Sequence, residues 1–106
     1  TVESLANVEE IAATPGLDGL FVGPSDLSIT LSNGAGIDKL GAHTLAAMEK
    51  VAAAAKKNGL VAGAFGGSAD VMKAYMKIGF TFFAAAVAVD LLHVGAAELM
   101  KAMREV

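Results

Sequence analysis

In the run Gly19-Leu20-Phe21-Val22-Gly23-Pro24-Ser25-Asp26-Leu27-Ser28, a short stretch suited to a buried strand stops at Gly23-Pro24, and a lone carboxylate follows. A carboxylate at a strand mouth has three uses. It can bind a divalent metal, act as a base, or cap the next turn. Leu27-Ser28 follow, so Asp26 also stands where a short helical turn would begin, and the preference for Asp at turns serves all three uses. Spacing alone leaves metal binding or catalysis on one side, and capping on the other, both open.

Other chemistry-bearing residues are fewer. Gly66-Gly67-Ser68 opens a predicted helix, where backbone N–H groups can hold a phosphate or carboxylate. A tight turn with Ser68 as N-cap accounts for the same residues. Asp90 begins the last predicted helix and suits its dipole or its cap. His43 and His93 fall within helices, away from strand ends, as surface or packing residues. Met48, Met72, Met76, Met100 and Met103 read as core or interface filler on apolar helix faces. Lys39, Lys50, Lys56, Lys57, Lys73, Lys77 and Lys101 all sit in or beside helices, which leaves no imine-forming Lys at a strand end. Ser25 and Ser28 have no His neighbour to activate them.

The elements that must position these residues alternate in period. Val2, Leu5, Val8 and Ile11 are spaced by three, which predicts a helix over about 1–14, ended by Pro15-Gly16. Leu20-Phe21-Val22 is a first strand. Pro24 to Ile37 reads as a long loop, a length uncommon unless functional. A helix from 38 or 39 to Lys57 carries the stripe Leu45, Met48, Ala52 and Ala55. Gly41 weakens its first turn, and Asn58-Gly59 stops it. Leu60 to Phe65 is a second strand, and Ala69 to Ile78 a helix burying Val71, Met72, Tyr75 and Ile78. Phe80 to Val87 is a third strand. A last helix, about 89–104, aligns Leu92, Ala96, Leu99 and Met103 on one face. Apolar strands alternating with helices mean a parallel sheet covered by helices. Three strands are few for that class, and the first and third would each expose an edge. A (β/α)8 barrel needs roughly 250 residues, so this chain holds about three of its eight units. These features point to the C-terminal part of a larger α/β domain. Ligands of such folds bind at the C-terminal ends of strands, which selects the loops after Val22, Phe65 and Val87.

Composition agrees with a partly covered surface. Of 106 residues, 55% are hydrophobic and 18% charged, against roughly 45–50% and about 25% in average globular proteins. The net charge is −3, with no basic stripe, and only 6% of residues are aromatic, with no Trp. Nucleic acid is a poor partner for such a chain. There is no Cys, which removes disulfide and thiolate chemistry and fits a reducing cytoplasm. The apolar stretch from Phe80 to Val89 is too short to span a bilayer and contains Thr81. No basic region followed by an apolar run marks a signal peptide at the start.

The stretch ANVEEIAATPGLDGLFVGPSDLS, Ala6 to Ser28, resembles the HpcH/HpaI aldolase family of metal-dependent pyruvate aldolases. The motif that carries the likeness is Gly16-Leu17-Asp18-Gly19-Leu20-Phe21-Val22-Gly23-Pro24-Ser25-Asp26-Leu27-Ser28. Looser similarity continues through AAAAKKNGLVAGAF and YMKIGFTFFAAAVAVDLL. The resemblance implies that residues 1–106 form one partial domain, about the last third of a (β/α)8 TIM barrel with parallel strands. It implies that Asp26 ligates a divalent metal, Mg²⁺ or Mn²⁺, which holds the carboxylate and keto oxygens of a 2-oxo acid and acts as a Lewis acid while a C–C bond breaks. It places Gly23, Pro24 and Ser25 against the substrate, with the N–H groups of Ser25 and Asp26 facing its carboxylate. It places Phe65 and Val87 along the aldehyde pocket. It also implies a homo-oligomer.

Departures from the family pattern limit what the chain itself holds. The family's second metal ligand, a Glu, falls one position before Thr1, and Glu3 is out of register with it. The family's Arg and its His–Asp base pair lie upstream. Ala86-Val87-Ala88 stands where members often have Gly-x-Asp. The chain is thus expected to carry one metal ligand, part of a pocket and no acid–base residue, and to be inactive alone. Two rivals to an aldolase cleaving 4-hydroxy-2-oxo acids or 2-keto-3-deoxy sugar acids stand beside it. One is a citrate-lyase-like enzyme acting on an acyl-CoA ester. The other is a non-catalytic barrel fragment that self-associates through its strand edges.

Overall fold

The computed structural model of the protein describes residues 1–106. Its elements run α1 (Val2–Ala6), α2 (Val8–Ala12), β1 (Gly19–Val22), α3 (Pro24–Leu31), α4 (Ala42–Lys57), β2 (Val61–Phe65), α5 (Ala69–Lys77), β3 (Phe82–Ala84) and α6 (Ala88–Arg104). The three strands form one parallel sheet in the order β1-β2-β3.

The core lies between one face of this sheet and the helices. α4 turns Ala47, Met48, Val51, Ala52, Ala54 and Ala55 inward, a wider stripe than the expected Leu45, Met48, Ala52, Ala55. Alanines on the helix meet Ala62 and Ala64 on β2, so the helix backbone lies close to the strand. Leu20, Val22 and Phe83 pack against the same cluster. α4 begins after Gly41, the weak first turn read from the sequence. It ends at Asn58, where Gly59 takes φ +66° and the Leu60 N–H reaches back to the Ala55 carbonyl at 2.9 Å. That is the glycine-ended stop expected of Asn58-Gly59.

The opposite face of the sheet is uncovered. Phe21 is 56% exposed and Phe82 60% exposed. Their rings meet edge to face, with centroids 6.3 Å apart, across Gly63. A β-carbon on Gly63 would come within 3.0 Å of both rings, so glycine is what lets the two aromatics close over the central strand.

Several boundaries differ from expectation. The first helix is two short ones, because Asn7 leaves helical geometry at φ −96°, ψ 12°. Pro24 to Leu31 is a helix, not a loop. Its loop-like composition is deceptive, because its hydroxyls bond back within the turn: Ser28 Oγ donates to the Ser25 carbonyl and Thr30 Oγ1 to the Asp26 carbonyl, each at 2.8 Å. Buried Leu27 and Pro24 supply its apolar side. β3 is three residues long rather than eight, as Ala85 and Ala86 continue without strand pairing.

The largest departure is α6. Its apolar face exists, yet the helix buries no residue, and Leu92 is 71%, Leu99 63% and Met103 64% exposed. The Cα radius of gyration is 16.7 Å, against about 13 Å for a compact domain near this length. No helix is long and apolar enough to cross a membrane.

Because Ala64 is wholly buried between α4 and the sheet, Ala64→Leu should destabilise the protein by about 1–3 kcal/mol through overpacking. Denaturant unfolding measures it, and an unchanged midpoint would show the helix-to-sheet contact to be looser than described.

Candidate active site

β1 delivers the chain to the strand mouth, and α3 starts there at once. Gly23 is the N-cap in extended geometry (φ −90°, ψ 97°), and Pro24 occupies the first helical position, where its fixed φ suits the helix and its missing N–H costs nothing. Asp26 follows in the first turn. The N–H groups of such a turn have no acceptor within the helix. Asp26 is exposed, and no side-chain cap bond forms at this helix. Thr30 bonds to the Asp26 backbone carbonyl, not to its carboxylate. Asp26 thus makes no capping hydrogen bond, while its place in the first turn still suits the positive end of the helix dipole. The carboxylate has no hydrogen-bond partner within the chain and lies over the Gly23 backbone. A β-carbon on Gly23 would lie 3.1 Å from Asp26 Oδ2, so glycine also keeps this carboxylate uncrowded.

A cleft of about 260 Å³ opens on this side of β1, lined among others by Thr1, Ser4, Phe21, Gly23 and Asp26. The first residues of the chain and the Asp26 carboxylate thus border one space. A single unengaged carboxylate fits one position in the oxygen shell of a hard cation. No group of three or more His, Asp or Glu side chains gathers in the chain. Residues 1–106 thus place one such carboxylate at this mouth, not a set of them.

The second strand mouth is built differently. Val22 pairs with Ala64 and Phe65 with Ala84, which sets Gly23, Phe65 and Ala84 at one level across the sheet. Phe65 is half-buried there. The Gly66 and Gly67 N–H groups donate to the Ala84 and Ala85 carbonyls at 2.9 and 3.2 Å. Ser68 Oγ accepts from the Val71 N–H at 3.4 Å. Both glycine donors are occupied and Ser68 caps the helix, which accounts for Gly66-Gly67-Ser68 as a turn with an N-cap. Gly66 is required by Met72, whose side chain fills the space a β-carbon would take. Val87 is the exposed N-cap of α6, three residues past the end of β3. Asp90 lies in that helix's first turn and makes no cap bond. The structure therefore joins Gly23, Pro24, Ser25 and Asp26 at one junction, sets Phe65 on the adjacent strand, and leaves Val87 at the start of the uncovered helix.

Two residues at these mouths have contacts that the sequence does not reveal, although it predicts a buried Tyr75. Tyr75 is wholly buried on α5, and its hydroxyl donates to the Lys39 carbonyl at 2.8 Å. Burial pushes its phenol up to about 12 from the ordinary 10. Lys39 lies in the α3–α4 connection, yet its Nζ stands 5.4 Å from the centre of the Phe65 ring. The one legible sign was a Tyr on a buried stripe, whose hydroxyl must find a partner; its sequence position does not say which.

A parallel sheet with helices on one face, and a free carboxylate at a strand's C-terminal end, defines a portion of a βα-type enzyme fold. The family comparison makes this specific: residues 1–96 match the HpcH/HpaI aldolase/citrate lyase family, and the chain belongs to it. It is 42% identical over 86 residues to a hydroxypyruvate/pyruvate aldolase of Paraburkholderia phytofirmans, covering 81% of this chain and 32% of that protein. It is 35% identical over 107 residues to a 2-dehydro-3,6-dideoxy-6-sulfogluconate aldolase of Pseudomonas putida, covering 98% of this chain and 40% of that one. Among solved structures, an HpcH/HpaI aldolase/citrate lyase family protein from Burkholderia cenocepacia superposes with a TM-score of 0.87 at 32% identity, over 98% of this chain and 40% of that one. The chain spans about two-fifths or less of the length of these relatives. Its three parallel strands are a portion of a (β/α)8 barrel. The uncovered face bearing Phe21 and Phe82 corresponds to the side that fills a barrel interior.

Tyr75 gives a pH dependence. Its folded pKa lies above its unfolded one, so the folded state holds the proton longer. The stability it contributes is complete below pH 10 and is lost as pH rises toward about 12. Tyr75→Phe should remove that alkaline decline and cost about 1 kcal/mol at neutral pH, read by denaturant unfolding across the pH range.

Proposed function

We propose that residues 1–106 are the C-terminal domain segment of a divalent-metal-dependent aldolase. It cleaves a 4-hydroxy-2-oxo acid or a 2-keto-3-deoxy sugar acid to pyruvate and an aldehyde. The observation that carries this reading is the unengaged Asp26 carboxylate at the β1 mouth, at the end of the motif shared with the family. The names of the relatives, hydroxypyruvate/pyruvate aldolase and a sulfogluconate-derived aldolase, support the substrate class.

In this reading Asp26 is one ligand of Mg²⁺ or Mn²⁺. Bound there, the ion supplies a Lewis acid for the oxygens of the 2-oxo acid. The free N–H groups of Ser25 and Asp26 orient the substrate carboxylate, as helix N-termini do for anions. Gly23 leaves room for the carboxylate of Asp26, and buried Pro24 fixes the turn that presents both. Phe65 walls the side that receives the aldehyde half, and Val87 lies on the loop after β3, farther from the junction. We assign no acid–base residue within 1–106 and expect the segment alone to be inactive. A homo-oligomer belongs to this reading: Leu92, Leu99 and Met103 on α6 are exposed and open to cover by a second copy as well as by the rest of the barrel.

The experiment is pyruvate release from a 4-hydroxy-2-oxo acid by the whole protein with Mg²⁺ or Mn²⁺. Asp26→Ala should lower kcat/KM by roughly a hundredfold or more. Full activity in that variant would overturn the assignment. Cleavage of a CoA thioester with no pyruvate released would move the protein to the citrate-lyase side of its family.

A further inference from the structure

Lys39 has no part in the chemistry assigned above. Lys50, Lys56 and Lys57 are carried by α4, Lys73 and Lys77 by α5, and Lys101 by α6. Lys39 instead lies in the connection from α3 to α4 and is half-buried. Its ammonium stands 5.4 Å from the centre of the Phe65 ring. It is also 3.3 Å from the point that a β-carbon on Gly67 would occupy. Phe65 is the last residue of β2, so the cation is held at the C-terminal end of the sheet, the end that carries Asp26.

Its placement is held from behind. The buried Tyr75 hydroxyl fixes the Lys39 carbonyl at 2.8 Å, which anchors the backbone while the side chain stays free. The ion pair within residues 1–106 joins Lys57 to Glu9, and no carboxylate among them lies within ion-pairing distance of Lys39; the neighbouring Asp38 Oδ1 instead accepts from the Leu40 N–H. An aromatic face attracts an ammonium without consuming its donors, and a Lys has three. The result is a positioned cation with hydrogen bonds to give, one strand over from Asp26.

We propose that Lys39 is a specificity-determining residue that receives an acidic group, carboxylate or sulfonate, at the far end of the aldehyde half of the substrate. This rests on the aldolase reading above. The Asp26 junction takes the 2-oxo-acid end, and Phe65 supports both the aldehyde chain and the cation at its end. A charge-assisted hydrogen bond there favours substrates that are acidic at both ends.

The test compares two 4-hydroxy-2-oxo acids of equal chain length, one ending in a carboxylate and the other in a methyl group. The whole protein is assayed unmodified, as Lys39→Met and as Lys39→Arg. The bond from Tyr75 goes to the Lys39 backbone, so these changes leave it in place. Lys39→Met should lower kcat/KM for the carboxylate-ended compound by roughly ten- to a hundredfold, with a much smaller change for the methyl-ended one. Lys39→Arg should recover most of the loss. Equal losses on both compounds would make Lys39 a structural staple on Phe65, and no loss on either would make it a bystander; each overturns the assignment while the aldolase reading stands. No pyruvate from either compound with the unmodified protein would overturn the aldolase reading and this one with it.

Discussion

The alanine-rich face of α4 against Ala62 and Ala64 of β2 is the contact on which the rest of the molecule depends. Small side chains on both partners bring the helix backbone close to the central strand. That closeness seals one face of the sheet with little volume. Dense packing of this kind tolerates neither cavities nor added methylenes. α5 and the connection before α4 then gather around the same core, through Tyr75 and Phe80, whose ring centroids lie 5.8 Å apart. The strand ends are the rim of this arrangement, so the positions of Asp26, Phe65 and Lys39 all follow from it.

The same architecture explains what is left bare. A sheet sealed on one face presents Phe21, Gly63 and Phe82 on the other. In a closed barrel that face is interior, and the free edges of β1 and β3 are where further strands pair. α6 extends away with its apolar face open. The low share of charged residues and the high apolar content are the compositional signature of these surfaces.

Much of this was legible in the sequence, for identifiable reasons. The strands announced themselves as short apolar runs, and the longer helices by apolar positions at helical spacing with a glycine at the stop, as at Gly59. Ser68 capped its helix as its position predicted. The Asp26 junction was legible because Gly-Pro after an apolar run leaves few conformations. The helix over 24–31 was hidden, since Ser25, Ser28 and Thr30 look like loop residues until their hydroxyls are seen to bond along the turn. Lys39 was hidden for a different reason. Its role depends on Tyr75, far along the chain, and on the end of β2, and no local pattern encodes a contact across that separation. At Gly66-Gly67 the carbonyls of Ala84 and Ala85 take both glycine N–H groups, a contact with the end of β3 that no local pattern shows.

The central claim is that the β1 mouth keeps Asp26 unengaged in order to hold a divalent cation. Titration of Mn²⁺ into the whole protein, unmodified and as Asp26→Asn, tests it without relying on turnover. The account predicts saturable binding that weakens at least roughly tenfold in the variant, since even outer-shell partners of a metal are worth that much. Equal affinity in both proteins would contradict it.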